Sequence, residues 1–271
     1  GGYSVAEVLP HGWTQTFPKG QNLGAAEQFT NVGWISESDQ SANQTFAVDT
    51  LGNGWTAGII PDGNFSIGST SFDGNGTAGQ LFIARVAPTG LVDKVVSLGN
   101  PDINNTGLAP NLILKPDIDA GIWLTGSFSG NGLSIPGASL DANSTTAFAT
   151  RFDQDLNASL TTVFPNSTIS DLSPDPDGRV AIAGTFTDST TMGTTTLTSN
   201  GGTDAFIAKI ASTGKIAWAK SLGGSQWETV QSITSDVNGS LWIAGDSNSS
   251  NFTADTTNLD LSGNAGGYLA Q

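Results

Sequence analysis

The 271 residues carry 24 acidic and 9 basic side chains, a formal net charge of −15, with one His, one Met and no Cys. So few Lys and Arg argue against a nucleic-acid groove, which needs clustered cations to release phosphate counterions, and the negative sign disfavours an anionic membrane surface. Without Cys, and with His11 alone, a disulfide framework, a thiol nucleophile, a Cys/His zinc site and any two-histidine mechanism are excluded, which leaves carboxylate and calcium chemistry.

The length suits one large domain or two small ones. Thirty-five Gly and 61 Ser plus Thr lean towards disorder, but seven Trp and thirteen Phe at spaced intervals supply the core anchors that disordered chains lack. No apolar stretch approaches the roughly 20 residues of a membrane-spanning helix, so direct membrane insertion is not expected. The opening Gly1-Gly2-Tyr3-Ser4-Val5-Ala6-Glu7 has no basic and then apolar leader, so any export signal is expected to have been removed or to lie upstream.

Along the chain, two motifs alternate. A strand-like first motif opens at Tyr3-Ser4-Val5-Ala6-Glu7-Val8, followed by a turn at Pro10-His11-Gly12 and a long insertion from Lys19 to Asn43. The second motif, an apolar run ending in Gly, appears at Trp55-Thr56-Ala57-Gly58. The first motif returns at Leu81–Val86, with a turn at Pro88-Thr89-Gly90, and the acidic turn Asp117–Gly121 leads into Trp123-Leu124-Thr125-Gly126. Ala147–Phe152, Asp175-Pro176-Asp177-Gly178 and Ala181-Ile182-Ala183-Gly184 make the next round. The last comprises Ala205–Ile210, Ser212-Thr213-Gly214, Asp236-Val237-Asn238-Gly239 and Trp242-Ile243-Ala244-Gly245, and a fifth copy begins at Tyr268.

From each second motif to the following first motif the spacing is 26, 24, 24 and 25 residues, whereas the other half of the period varies over 52, 42, 34 and 37. Alternation and β-branched content give four strands per period, in the last one Ala205–Ile210, Ile216–Leu222, Val230–Thr234 and Leu241–Ala244. Hairpin-turn residues separate them and no segment keeps a helical apolar period. The fold class is therefore all-β. Such sheets cannot bury both faces alone, so they must stack. We expect a β-propeller of four-stranded antiparallel blades, with repeat units at about 3–80, 81–146, 147–204 and 205–267 and a fifth begun at 268–271. Trp55, Trp123 and Trp242 should be equivalent and buried.

These motifs resemble the bacterial β-propeller repeats of the SBBP type. The match is closest at Asp204-Ala205-Phe206-Ile207-Ala208-Lys209-Ile210, Gly214, Trp218, Gly223-Gly224, Asp236, Gly239 and Leu241–Gly245, and weakest in the first unit, where Glu7 replaces the basic residue. The resemblance implies a structural repeat and carries no catalytic signature. Both ends cut the repeat at one phase, Gly1-Gly2-Tyr3 against Gly266-Gly267-Tyr268. The two terminal strands are expected to close one ring or to join successive units; the stop at Gln271 favours a window from a longer array.

Three patterns could carry chemistry. Asp117 with Asp119, Asp153 with Asp155, and Asp175 with Asp177 have the spacing with which loops offer oxygens to calcium, and equally that of acidic hairpin turns. Ten Asn-x-Ser/Thr acceptor sequences occur, at Asn43, Asn64, Asn75, Asn104, Asn143, Asn157, Asn166, Asn238, Asn248 and Asn251, about twice the number composition alone would place. Trp34 and Trp227 fall in variable connections beside Glu37, Asp39 and Glu228, where an indole face could stack on a sugar or simply anchor a loop.

The expectation is an extracellular, non-enzymatic protein of a prokaryotic cell surface: a scaffold, surface-layer or filament component, or adhesin, glycosylated, with calcium as the one metal to consider and no other cofactor. Its partners would be other surface proteins, copies of itself or glycans. The alternative is a propeller that binds or cleaves carbohydrate, whose paired carboxylates the sequence does not locate.

Overall fold

In a computed structural model, residues 45–60, 65–67, 70–72, 80–99, 111–236, 238–254, 257–260 and 266–271 are described, all of them within the unit Gly33–Gln271. Among them there is no helix. The first blade contains β1 (Thr45–Val48), β2 (Gly54–Ile60), β3 (Phe65–Ile67), β4 (Thr70–Phe72), β5 (Gln80–Val86) and β6 (Val92–Ser97). The second is β7 (Ile113–Pro116), β8 (Ile122–Ile135), β9 (Ala138–Phe152) and β10 (Ala158–Pro165). The third is β11 (Ser167–Pro174), β12 (Val180–Met192), β13 (Thr195–Ile210) and β14 (Ile216–Gly223). The fourth is β15 (Glu228–Ser235), β16 (Leu241–Ser247), β17 (Asn251–Ala254), β18 (Thr257–Asp260) and β19 (Gly266–Ala270).

The sheet orders β1-β2-β5-β6, β7-β8-β9-β10, β11-β12-β13-β14 and β15-β16-β19 are antiparallel meanders, the four blades of a β-propeller. All four strands expected in the last period are present. Each sheet joins the end of one sequence period to the start of the next, so the repeat as spelled from its first motif runs two strands out of phase with the blade.

Why these residues make blades follows from which face each side chain meets. Successive side chains of a strand point to opposite faces, so a strand covered on both sides must be apolar or small at every position. On β12, Val180 and Ile182 join a cluster shared with the second blade, while Ala181 and Ala183 join one shared with the fourth. On β9, Phe148 and Phe152 pack towards the first blade and Ala147 and Ala149 towards the third. The recurring Ala-Phe pair thus sets a large residue against the preceding blade and a small one against the following blade. The space beside the small residue is filled from the adjacent strand by the tryptophan column: Trp55 lies in the core between blades one and two, Trp123 in that between two and three.

The nearly constant 24-to-26-residue spacing has an unforeseen cause. It spans the hairpin between the second and third strands of each blade, which forms a two-stranded arm; in the second, third and fourth blades this arm reaches back to the preceding blade. The β17–β18 hairpin pairs with β14, Leu222 opposite Ala254 and Gly223 opposite Thr253. In the second blade Leu133 bridges Gly99, and the Ser134 amide donates to the Leu98 carbonyl at 2.8 Å. In the third, the Thr190 hydroxyl donates to the Pro165 carbonyl at 2.6 Å, with Met192 buried beside Phe164.

The tryptophan expectation needs one correction. Trp55 and Trp123 are 0% and 1% exposed, but Trp242 is 38% exposed. Its column faces the following blade, and after the fourth blade no described residue supplies that cover. Removal of these side chains should therefore differ in cost: Trp123→Ala should destabilise the fold by about 3–5 kcal/mol in chemical denaturation, and Trp242→Ala by no more than about 1.5 kcal/mol. Equal losses would contradict the neighbour-cover explanation.

Candidate functional site

The residues singled out as candidates concentrate in the tight loops at one end of the blades, and all seven described loops share one construction. In Asp49–Asn53, Ala87–Leu91, Asp117–Gly121, Asp153–Asn157, Asp175–Arg179, Ala211–Lys215 and Asp236–Ser240, the first amide donates to the fifth carbonyl at 2.8–3.0 Å. The fourth residue takes positive φ, between 58° at Ala120 and 83° at Gly52. This is a three-residue hairpin loop ending in a left-handed residue, the geometry that suits the right-handed twist of flanking strands.

Where the first residue is Asp, its side chain completes the loop. Asp117 Oδ1 accepts from the amides of Asp119 (3.0 Å) and Gly121 (2.7 Å), Asp153 Oδ1 from Asp155 (2.8 Å) and Asn157 (2.9 Å), and Asp175 Oδ1 from Asp177 (3.2 Å) and Arg179 (3.0 Å). The pairs read as calcium candidates are thus the first and third residues of this loop, the first carboxylate facing its own amides and the second, at Asp119, Asp155 and Asp177, facing solvent. Among the described residues no three His, Asp or Glu side chains come together in a group able to hold a metal.

The remaining lone pairs of the loop carboxylate are satisfied differently in each blade. In the first, Asp49 Oδ2 accepts from Asn53 Nδ2 (2.9 Å), Trp55 Nε1 (2.9 Å) and Gln154 Nε2 (2.8 Å). Burial alone would raise this carboxyl, but the hydrogen bonds outweigh it and lower it to about 2. In the second, Arg151 Nε reaches Asp117 at 2.5 Å across Gly121, where a Cβ would sit 2.8 Å from the guanidinium. In the third, Lys209 Nζ lies 2.6 Å from Asp175, with Arg179 at 3.4 Å. In the fourth the Trp242 indole donates to Asp236.

Between blades these loops frame grooves. Gln154, second residue of its loop, enters the groove between blades one and two and bonds to both. The matching groove between blades two and three is open, about 440 Å³, bordered by Arg151 and Asp119 on one side and by Pro176, Asp177 and Ser212 on the other.

A second acidic site lies deep between the third and fourth blades. Asp204 and Glu228 are both 0% exposed. Asp204 accepts from Ser199 Oγ (3.1 Å) and the Asn200 amide (3.0 Å), Glu228 from the Gly224 amide (2.8 Å) and Ser247 Oγ (2.9 Å). Burial raises the Asp204 carboxyl, against those two hydrogen bonds and reinforced by the Glu228 charge. Burial, with Glu228 and Asp246, pushes the Tyr268 phenol well above its usual range, and its hydroxyl donates to the Thr229 carbonyl at 2.9 Å. A Cβ at Gly223 would collide with the Asp204 carboxylate, which accounts for glycine there. With neither acid open to solvent, the pair acts within the packing between blades.

Trp227 is 44% exposed, its carbonyl accepting from the Asn248 amide at 3.1 Å, while neighbouring Glu228 turns inward. Trp34, with Asn43, Asn64, Asn75 and Asn104, lies outside the described residues. Of the other acceptor sequences, Asn143 on β9 and Asn238 in its loop are exposed. Asn157 and Asn251 are exposed but hydrogen-bonded, to Asp153 at 3.1 Å and by Ser225 Oγ at 3.0 Å, and Asn248 is half-buried. Asn166 takes positive φ and donates to the Ser189 carbonyl at 3.0 Å, with its Ser167 neighbour buried. Sequence reasoning missed Gln154, Asp204 and the inward turn of Glu228.

No protein-family model matches the chain, and no curated protein matches it.

Two measurements check this account. Ala120 holds a left-handed position that costs an L-residue about 1 kcal/mol, so Ala120→Gly should raise stability by up to about 1 kcal/mol and Gly178→Ala should lower it by a similar amount. The acids should give opposite pH limbs in melting temperature. Asp49, lowered in the fold, contributes stability above the ordinary carboxylate range that is lost as pH falls towards 2, and Asp49→Asn should remove that acid loss. Asp204, raised in the fold, contributes most below that range and loses it as pH rises through its folded value, so Asp204→Asn should flatten the decline above about pH 4.

Proposed function

We propose that the chain is an extracellular, non-enzymatic repeat protein of the SBBP-like type, a glycosylated scaffold, surface-layer or filament component, or adhesin, whose partners are copies of itself or other surface proteins. The observation that carries this reading is the contrast between inner and outer blade faces. Between described blades, apolar faces meet in buried clusters. On the outer faces Phe46 and Val48 of the first blade, and Trp242 and Leu269 of the fourth, remain exposed. Such a face fits another blade, and a strand such as β19, outermost in its sheet among the described residues, can join chains through main-chain hydrogen bonds without ionic contacts. The scarcity of Lys and Arg is consistent with that mode.

The glycosylated part of the reading rests on Asn143 and Asn238, whose exposed side chains leave room for a glycan without disturbing a core. A second reading, carbohydrate binding, is favoured by the half-exposed Trp227 ring beside the polar Ser225, Gln226 and Asn251.

Imaging of native particles, with light scattering of the purified chain, tests the assembly. Ordered polymers are expected, and Trp242→Lys with Leu269→Lys should dissolve them; a monomer at all concentrations, unchanged by the substitutions, rejects the reading. Intact mass of native material should exceed the mass of its own unmodified polypeptide, with sugar at Asn143 and Asn238 and none at Asn166. A single unmodified mass removes the glycoprotein claim.

A further inference from the structure

The grooves between blades exist in a filled and an open form, and the open one keeps part of what holds the filling side chain: the arginine and the fourth-residue carbonyl remain, while Gly121 replaces Asn53 and Asp117 is engaged by Arg151. Between blades one and two, Gln154 Nε2 donates to Asp49 Oδ2 at 2.8 Å and to the Ala120 carbonyl, while Oε1 accepts from Asn53 Nδ2 and from Arg85 Nη1, each at 3.0 Å. One side-chain carboxamide thereby joins four groups of two blades.

Strand register fixes the equivalent positions one blade further on. Arg151 stands where Arg85 does, each opposite its own outer strand at Leu160 and Lys94. Asp117 corresponds to Asp49 and Gly178 to Ala120, as first and fourth residues of their loops. Ser212, second residue of Ala211–Lys215, corresponds to Gln154. Its hydroxymethyl falls short of what a glutamine spans, and the groove of about 440 Å³ stays open.

We propose that this groove receives a glutamine side chain from a partner polypeptide. The guanidinium of Arg151 is committed to Asp117 through Nε, but Nη1 makes only a 3.4 Å contact with Ser159 Oγ and Nη2 stands 4.0 Å from Asp119. Those N–H groups can donate to a carboxamide oxygen. Across the groove the Gly178 carbonyl and the Asp177 carboxylate, which also accepts from Arg179 Nη2 at 2.5 Å, can accept from its NH2, and on the Arg151 side Leu160 offers apolar surface to the methylene stem. A carboxylate ligand would face the Asp119 and Asp177 charges, and an ammonium would face Arg151. A carboxamide matches donors on one side with its oxygen and acceptors on the other with its NH2, spanning with two atoms what a hydroxyl offers on one. This proposal goes beyond the surface-protein reading and stands independently of it.

The test is an NMR titration of the full chain with N-acetyl-Gly-Gln-Gly-N-methylamide, whose side chain is its one primary carboxamide, beside its Glu, Lys and Ala analogues and free glutamine. Saturable shifts are expected at Arg151 Nε–H and at the Ser212 and Gly178 amides, with Kd of about 1–10 mM and at least tenfold weaker binding of the other probes. Ser212→Gln supplies the same group within the chain at high effective concentration and should abolish the response while raising the melting temperature by about 2 °C; Ser212→Ala should leave both as they were. No saturable shift up to about 50 mM, equal binding of any analogue, or an undiminished response in Ser212→Gln overturns the proposal. Equal binding of free glutamine overturns its polypeptide source.

Discussion

A four-stranded sheet with apolar residues on both faces has no stable existence in water until both are covered, and this single requirement organises the molecule. Each blade is finished by its neighbours. The clusters centred on Trp55, Trp123 and Phe252 all lie between sheets, and the alternation of large and small residues along β9 and β12 is the imprint of two different neighbours on one strand. Hydrophobic burial supplies the cohesion, but it is non-directional and does not by itself fix how one blade sits upon the next.

Direction comes from polar contacts at the two ends of each interface. At one end the hairpin arms pair backward through main-chain hydrogen bonds, as β17 does with β14. At the other the loop carboxylates are held by donors that differ from blade to blade: neutral ones at Asp49, Arg151 at Asp117, Lys209 and Arg179 at Asp175. The local solution depends on the fifth residue of each loop. Asn53 occupies the space that Gly121 leaves free, so Arg85 turns to Asp93 and Gln154, whereas Arg151 closes over its own loop.

Blades and strands were legible in the chain because their signals are local: alternation, a Gly at the end of each apolar run, and Asp or Gly in fixed turn positions. The propeller followed from counting faces. What escaped was non-local. The arms are polar alternating segments such as Thr195–Thr198, which read as connections until a neighbour is placed beside them. Trp242 shares every local feature of Trp55 and differs only in what lies opposite. Gln154 meets Asp49 across 105 residues of chain, and the inward turn of Glu228 beside an exposed Trp227 depends on the Gly224 amide and Ser247. In the acidic loops, spacing alone was compatible with ligand oxygens or with turn capping, since both place carboxylates two residues apart.

The unequal loops give the repeat a grammar. A solenoid of identical units can be shuffled, lengthened or permuted, because any copy fits any other. Here Gln154 is spelled for a predecessor carrying Asp49, Asn53 and Arg85; placed after the third blade it would meet Asp175 already engaged by Lys209 and Arg179. The hydrophobic faces would accept such an exchange and the side chains would refuse it. Sequence divergence among the copies therefore acts as an address, assigning each blade one position in the series.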